Sequence, residues 1–217
     1  MATAQDFIEA ALVRSTANDP GKLATDGELL NHCSRVFARL FSLFARARPD
    51  KAQSQSTVTL AGNPPTAALP ADLIDVRRVE NTTGAKVHLI PATEKDRTWH
   101  IAPSVYQVGN TLYSRNKTGD PAAADVLTLF LLDQPAALSA LSSTIDARFP
   151  MRHYQFVIDL VALYLDTKDQ SRDQAAHAKL VEEVALAKEA FALEYELGPT
   201  ALEWIHDGAG RTAPVIK

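Results

Sequence analysis

Cysteine is almost absent from the sequence: the single Cys33 excludes an internal disulfide and any metal site built on several thiolates. Long hydrophobic runs are missing too. A bilayer span needs about 20 consecutive apolar residues. The longest apolar stretches, residues 126–132 and 156–165, fall short of that, and Asp159 interrupts the second. The opening residues, MATAQDFIEAALVR, hold Asp6 and Glu9 and no basic leader before an apolar stretch, so no secretory signal is expected. A basic excess is lacking as well. The 22 Lys and Arg against 26 Asp and Glu give a net charge of -4, which argues against a dedicated nucleic-acid binder. No Gly-rich loop of the dinucleotide or P-loop kind occurs. The six histidines, His32, His88, His100, His153, His177 and His206, are scattered, with no pair one helical turn apart, and read as surface or capping residues. The sequence therefore nominates no catalytic residue, no metal site and no cofactor, and the expectation is a protein that is not an enzyme.

What is present is a normal core. Of 217 residues, 46% are hydrophobic and 22% charged, close to the average for globular chains. Charge is unevenly spread. Arg35, Arg39, Arg46 and Arg48 crowd one stretch, whereas Glu182, Glu183, Glu189, Glu194, Glu196 and Glu203 load the C-terminal part. Such asymmetry suggests faces that meet different surroundings.

The order of signals is helices, strands, helices. A first helix is predicted from Thr3 to about Arg14, with Phe7, Ile8, Ala11 and Leu12 on one side. Asn18-Asp19-Pro20-Gly21 marks a turn. A second helix should start at Thr25, because Thr25-Asp26-Gly27-Glu28 has capping-box spacing, and end near Arg48, before Pro49. At 100° per residue, Leu30, Cys33, Phe37, Leu40, Phe41 and Phe44 share a face of it, opposite Arg35, Arg39 and Arg46. Short β-branched runs then follow at 57–60, 73–79, 86–90, 111–114 and 125–132, separated by Gly, Asn and Pro turns, and read as a small antiparallel sheet. The stretch 126–132 is apolar nearly throughout, which predicts a strand covered on both faces. Residues 92–99 read as one helical turn. Pro150 opens a central buried helix that runs through Tyr154, Val157, Ile158, Val161 and Leu165. A longer helix over 171–197 carries Leu180, Val184, Ala187, Phe191 and Tyr195 on one stripe and stops at Gly198-Pro199. Residues from Trp204 on lack periodicity and look extended.

Three features have a plain and a sharper reading. Cys33, on an apolar face, is a small hydrophobe before it is a nucleophile. Asp159 inside the buried helix needs an exposed edge, or a partner such as Arg152, Arg148 or another subunit. The Arg35, Arg39 and Arg46 face is either solvated or apposed to a polyanion.

Several motifs, in this order, resemble the head-to-tail adaptor (connector) proteins of tailed phages. Leu69-Pro70-Ala71-Asp72-Leu73 continuing to Val79 is similar to that family's entry into a strand. Ile90-Pro91-Ala92-Thr93-Glu94 and Tyr106-Gln107-Val108-Gly109-Asn110-Thr111-Leu112-Tyr113 resemble its strand pair. Phe149-Pro150-Met151-Arg152-His153-Tyr154 and the apolar helix after it resemble its Pro-led helix. The strand before the last helices matches only loosely, as Asp125-Val126-Leu127-Thr128-Leu129-Phe130.

Pattern and resemblance together imply an α+β, mainly α fold. It would be a helical bundle of about four helices with a small antiparallel β-sheet inserted at about residues 55–132. Residues 1–198 would form the helical adaptor domain and 199–217 an extended C-terminal docking tail. The resemblance implies a structural protein of the virion neck, made in the host cytoplasm. Its copies would form a ring, typically twelve-fold, under the portal protein, with a tail or neck protein below and packaged DNA in the channel. Trp204, Ile205, Arg211, Val215 and Ile216 are the implied portal-binding residues, and Arg35, Arg39 and Arg46 the DNA-channel candidates. Another neck or tail-completion protein, or a cytosolic small-ligand binder, stand as the alternatives.

Overall fold

The structure is a computed structural model that describes residues 2–96, 102–115, 117–169, 172–198 and 201–203. The chain divides into two compact units, one of residues 1–51 with 135–217 and one of residues 52–134.

The first unit is helical. Helix α1 (Ala4–Arg14) is capped by Thr3 in a complete capping box with Asp6. A one-turn helix, α2 (Pro20–Leu23), replaces the simple turn expected at Asn18–Gly21, with Pro at a first-turn position. Helix α3 (Asp26–Ala47) starts where the Thr25–Glu28 capping box places it, and another single turn, α4 (Pro49–Ala52), follows. A 3₁₀ turn over Met151–His153 leads into α5 (Tyr154–Lys168), and α6 (Gln174–Glu194) begins at the N-cap Asp173.

Helix α5 is the centre of this unit. It packs against α1, α3 and α6, and buries Phe156, Val157, Leu160, Val161, Leu163 and Leu165. Each fully buried side chain of this size contributes roughly 1.5–3 kcal/mol. Phe149 joins α5 to α3: its ring meets Phe37 at 5.2 Å and Phe44 at 6.1 Å edge-on, and stacks on Tyr154 at 6.3 Å. The buried stripe of α3 differs from expectation at one end. Leu29 and Val36 are buried and Leu30 only half-buried, so the stripe is set one residue round.

The second unit overturns the predicted fold class. It is a seven-stranded mixed sheet that curls into a nearly closed barrel, not a small antiparallel sheet inserted in a helical bundle. The strands are β1 (Ser54–Thr59), β2 (Thr66–Ala68), β3 (Leu73–Asn81), β4 (Lys86–Ile90), β5 (Ser104–Val108), β6 (Thr111–Ser114) and β7 (Val126–Asp133). Their spatial order is β1-β7-β3-β4-β5-β6-β2, and the two end strands β1 and β2 also approach each other. Two things hid this in the sequence. The Thr-Ala-Ala of β2 has little strand propensity. The β4–β5 pair is parallel, so its partners come from either side of a crossover and not from a hairpin.

Closure removes most free strand edges and gives the unit its own core of Leu60, Val79, Val105, Leu112, Leu127 and Leu129. Val76 and Val79 both face inward although three residues apart, because a register shift between Val76 and Arg78 inserts an extra residue. Strand β7 is covered on both faces only towards its end, where Leu131 and Leu132 are both buried. Leu127, Leu129 and Leu131 are buried, but Val126 is exposed and Phe130 only half-buried, its ring 3.7 Å beneath the Arg78 guanidinium. An ion pair never anticipated from sequence closes one turn of this unit. Asp120 accepts from Arg115 Nε at 2.9 Å and from the Ser104 amide at 2.9 Å, with the two side chains 3% and 1% exposed.

Candidate functional site

Because its buried stripe faces α5, helix α3 must present the opposite side outward. Glu28, Asn31, Arg35, Arg39 and Arg46 are all exposed along it. At 1.5 Å rise per residue, Arg35 to Arg46 extends over roughly 16 Å. The three predicted DNA-channel arginines therefore share one convex face. The acidic start of the helix is occupied, since Glu28 caps Thr25 and accepts from Lys168 Nζ at 3.3 Å. The five predicted portal-binding residues, Trp204, Ile205, Arg211, Val215 and Ile216, lie outside the described residues.

The C-terminal end of α3 opens onto a cleft of about 640 Å³ that the sequence reading missed. Three separate segments build it: Phe44, Arg48 and Lys51; Arg148, Pro150 and Arg152; and Glu194 with Tyr195. The only signal in the sequence was the density of Arg and Lys at 46–51 and 148–152. Two of its arginines are held in place. Arg148 grips Asp146, Nη2 to Oδ2 at 2.5 Å, with its guanidinium 5.0 Å over Phe41. Arg152 pairs with Glu194 and donates to the Tyr195 hydroxyl at 3.4 Å. That hydroxyl also shares a hydrogen bond with His153 Nε2 at 2.8 Å. Burial pushes His153 below its ordinary value and the Arg152 charge acts the same way, against the opposing pull of Glu194. Among the described residues neither Arg48 nor Lys51 forms an ion pair with a carboxylate.

Neither arginine predicted for Asp159 is its partner. Arg148 and Arg152 serve the cleft, and buried Asp159 accepts instead from Arg14 Nε at 3.1 Å and Gln155 Nε2 at 2.7 Å. Two turns on, fully buried Asp166 accepts from the Ser15 and Thr16 hydroxyls, from the Thr16 amide at 2.8 Å and from His177 Nδ1 at 3.0 Å. The histidines are likewise not simply surface groups. His153 is buried, His177 is tied to Asp166, and His32 stacks on Tyr164 at 4.0 Å. Cys33 sits in the apolar core as expected, and burial raises its thiol to about 12, far from a reactive thiolate. Among the described residues no group of three or more His, Cys, Asp or Glu is placed to hold a metal ion. Among them, too, no helix is long and apolar enough to cross a membrane.

Two compact units, an outward arginine stripe and a basic cleft describe surfaces for contact. The family model described as SU10 adaptor protein matches residues 2–196, nearly the whole chain. The chain belongs to the SU10 adaptor family. That family is one of phage head-to-tail adaptors, so this adaptor is a structural component of a phage virion. No curated protein matches it.

Proposed function

We propose that this adaptor works as a ring under the portal, joining the capsid to the tail and helping to retain packaged DNA. The match to the adaptor family over residues 2–196 carries this reading. Copies made in the host cytoplasm would assemble side by side at the virion neck. Such a ring follows the portal's symmetry, typically twelve-fold, and needs heterologous interfaces that close. In it, residues 1–198 form the body, and residues 199–217 a tail that reaches the portal through Trp204, Ile205, Arg211, Val215 and Ile216. The Arg35, Arg39 and Arg46 stripe then faces the DNA. Weak, sequence-independent phosphate contact suits a surface past which DNA must slide.

The test is to mix the purified chain with its portal and follow assembly by light scattering and electron microscopy. The expected outcome is a ring on the portal, lost on deleting 204–217 although the truncated chain still folds. A chain that stays monomeric with portal present, or docking that survives the deletion, overturns the reading or the tail's part in it.

A further inference from the structure

We propose that the cleft at the C-terminal end of α3 binds an acidic peptide segment of a partner protein, seating a carboxylate between Arg48 and Lys51. Four cations line it, Arg48, Lys51, Arg148 and Arg152, against three carboxylates, Asp50 and Glu194 in the lining and Asp146 on Arg148. This local excess is positive in a chain whose net charge is -4. Arg148 and Arg152 are already fixed by Asp146, Glu194 and Tyr195, so the walls are built before any ligand arrives. Arg48 and Lys51 are exposed, and among the described residues no carboxylate pairs with them. A carboxylate satisfies the planar fork of an arginine with two parallel hydrogen bonds. Pre-set walls lower the ordering cost of binding.

The shape selects among anions. Phe44, Pro150 and Tyr195 supply apolar surface beside the charges, which a peptide's flanking aliphatic or aromatic residue can cover. A volume of about 640 Å³ exceeds what one free phosphate would fill. Duplex DNA offers a convex, unbroken line of phosphates. A concave cleft does not fit that convex line, whereas the outward, carboxylate-free run from Arg35 to Arg46 can lie along it.

The experiment uses the full chain and fluorescence anisotropy with three probes: a labelled Glu-Glu-Leu-Glu-Glu peptide, its Gln counterpart, and a short DNA duplex. The acidic peptide is expected to bind saturably and more weakly as salt rises, with the Gln peptide and duplex failing to compete. Arg48→Glu with Lys51→Glu should weaken it about ten-fold or more. Both residues are exposed, so the variant should keep its melting temperature, which is checked alongside. Arg35→Glu with Arg39→Glu, away from the cleft, should leave peptide binding unchanged. The proposal fails if no saturation is seen, if the Gln peptide binds equally, or if the duplex displaces the peptide. It also fails if the two charge reversals act alike, since binding would then be diffuse attraction to the whole basic face.

Discussion

His32 is the residue whose surroundings have the clearest consequence for stability. It lies half-buried against the Tyr164 ring, and its value drops from 6.5 to about 4, chiefly through burial, with the charges of Arg35, Lys168 and Arg39 adding to the effect. In the unfolded chain the imidazole takes a proton below about 6.5; in the folded chain it resists until about 4. Between those values the unfolded state binds more protons, so stability must fall as pH falls through that window. Asp120, Asp146 and Asp166 act lower down. Burial alone would raise them, yet their Arg115, Arg148 and Ser15–Thr16 partners hold each below the ordinary 3.8. The stability they add is present above about pH 4 and is lost as pH drops through their lowered values. His32→Phe keeps a ring on Tyr164 and removes the ionisation. Melting temperatures measured from pH 7 to 4 should therefore decline less steeply in the variant than in the parent, and parallel declines would remove His32 from this role.

At the scale of elements, the clearest legible unit was α3. Thr25 and Glu28 announced its start, Pro49 its end, and the 3.6-residue period its buried face. Helices α1, α5 and α6 were legible for the same reason, since local spacing decides them. What ties them together was not legible. Asp166, at the last turn of α5, gathers the loop between α1 and α2 through Ser15 and Thr16, and reaches His177 on α6. These partners are far from it in sequence, so no local pattern marks them. Asp166→Ala leaves several half-buried donors without their buried acceptor and should cost about 3–5 kcal/mol, the range for breaking a buried charged network. Asp173→Ala removes only an exposed N-cap and should cost about 1 kcal/mol. Urea midpoints compare the two; equal small losses would show that Asp166 holds nothing. In the sheet, Gly109-Asn110 marked the β5–β6 turn correctly, Gly109 taking the positive φ of 56° that such a turn favours. The parallel β4–β5 pair had no such mark.

At the scale of the whole molecule, the charge asymmetry seen in the sequence becomes an arrangement of faces. The α3 arginines stand outward on one helix packed on α5, and Glu182 and Glu189 are exposed on another. If the arginine stripe faces packaged DNA in the proposed ring, reversing Arg35, Arg39 and Arg46 to Glu together removes up to three phosphate contacts. Each contact contributes roughly 0.9 to the slope of log affinity against log salt. Folding and ring assembly should persist while filled heads leak DNA, scored as nuclease-accessible genome after particle purification. Normal retention would return the stripe to plain solvent exposure.

The sequence by itself determined the four long helices, the Thr25 cap, most of the α3 buried face, the strand-rich middle, and the family, because each is written in short-range spacing or in the order of motifs. Only the tertiary structure decided that the strands curl into a nearly closed barrel, that Asp159 pairs with Arg14, and that three distant segments meet around a basic cleft. Strand pairing and ion pairing join residues remote along the chain, and their partners are chosen by burial and geometry that no local pattern encodes.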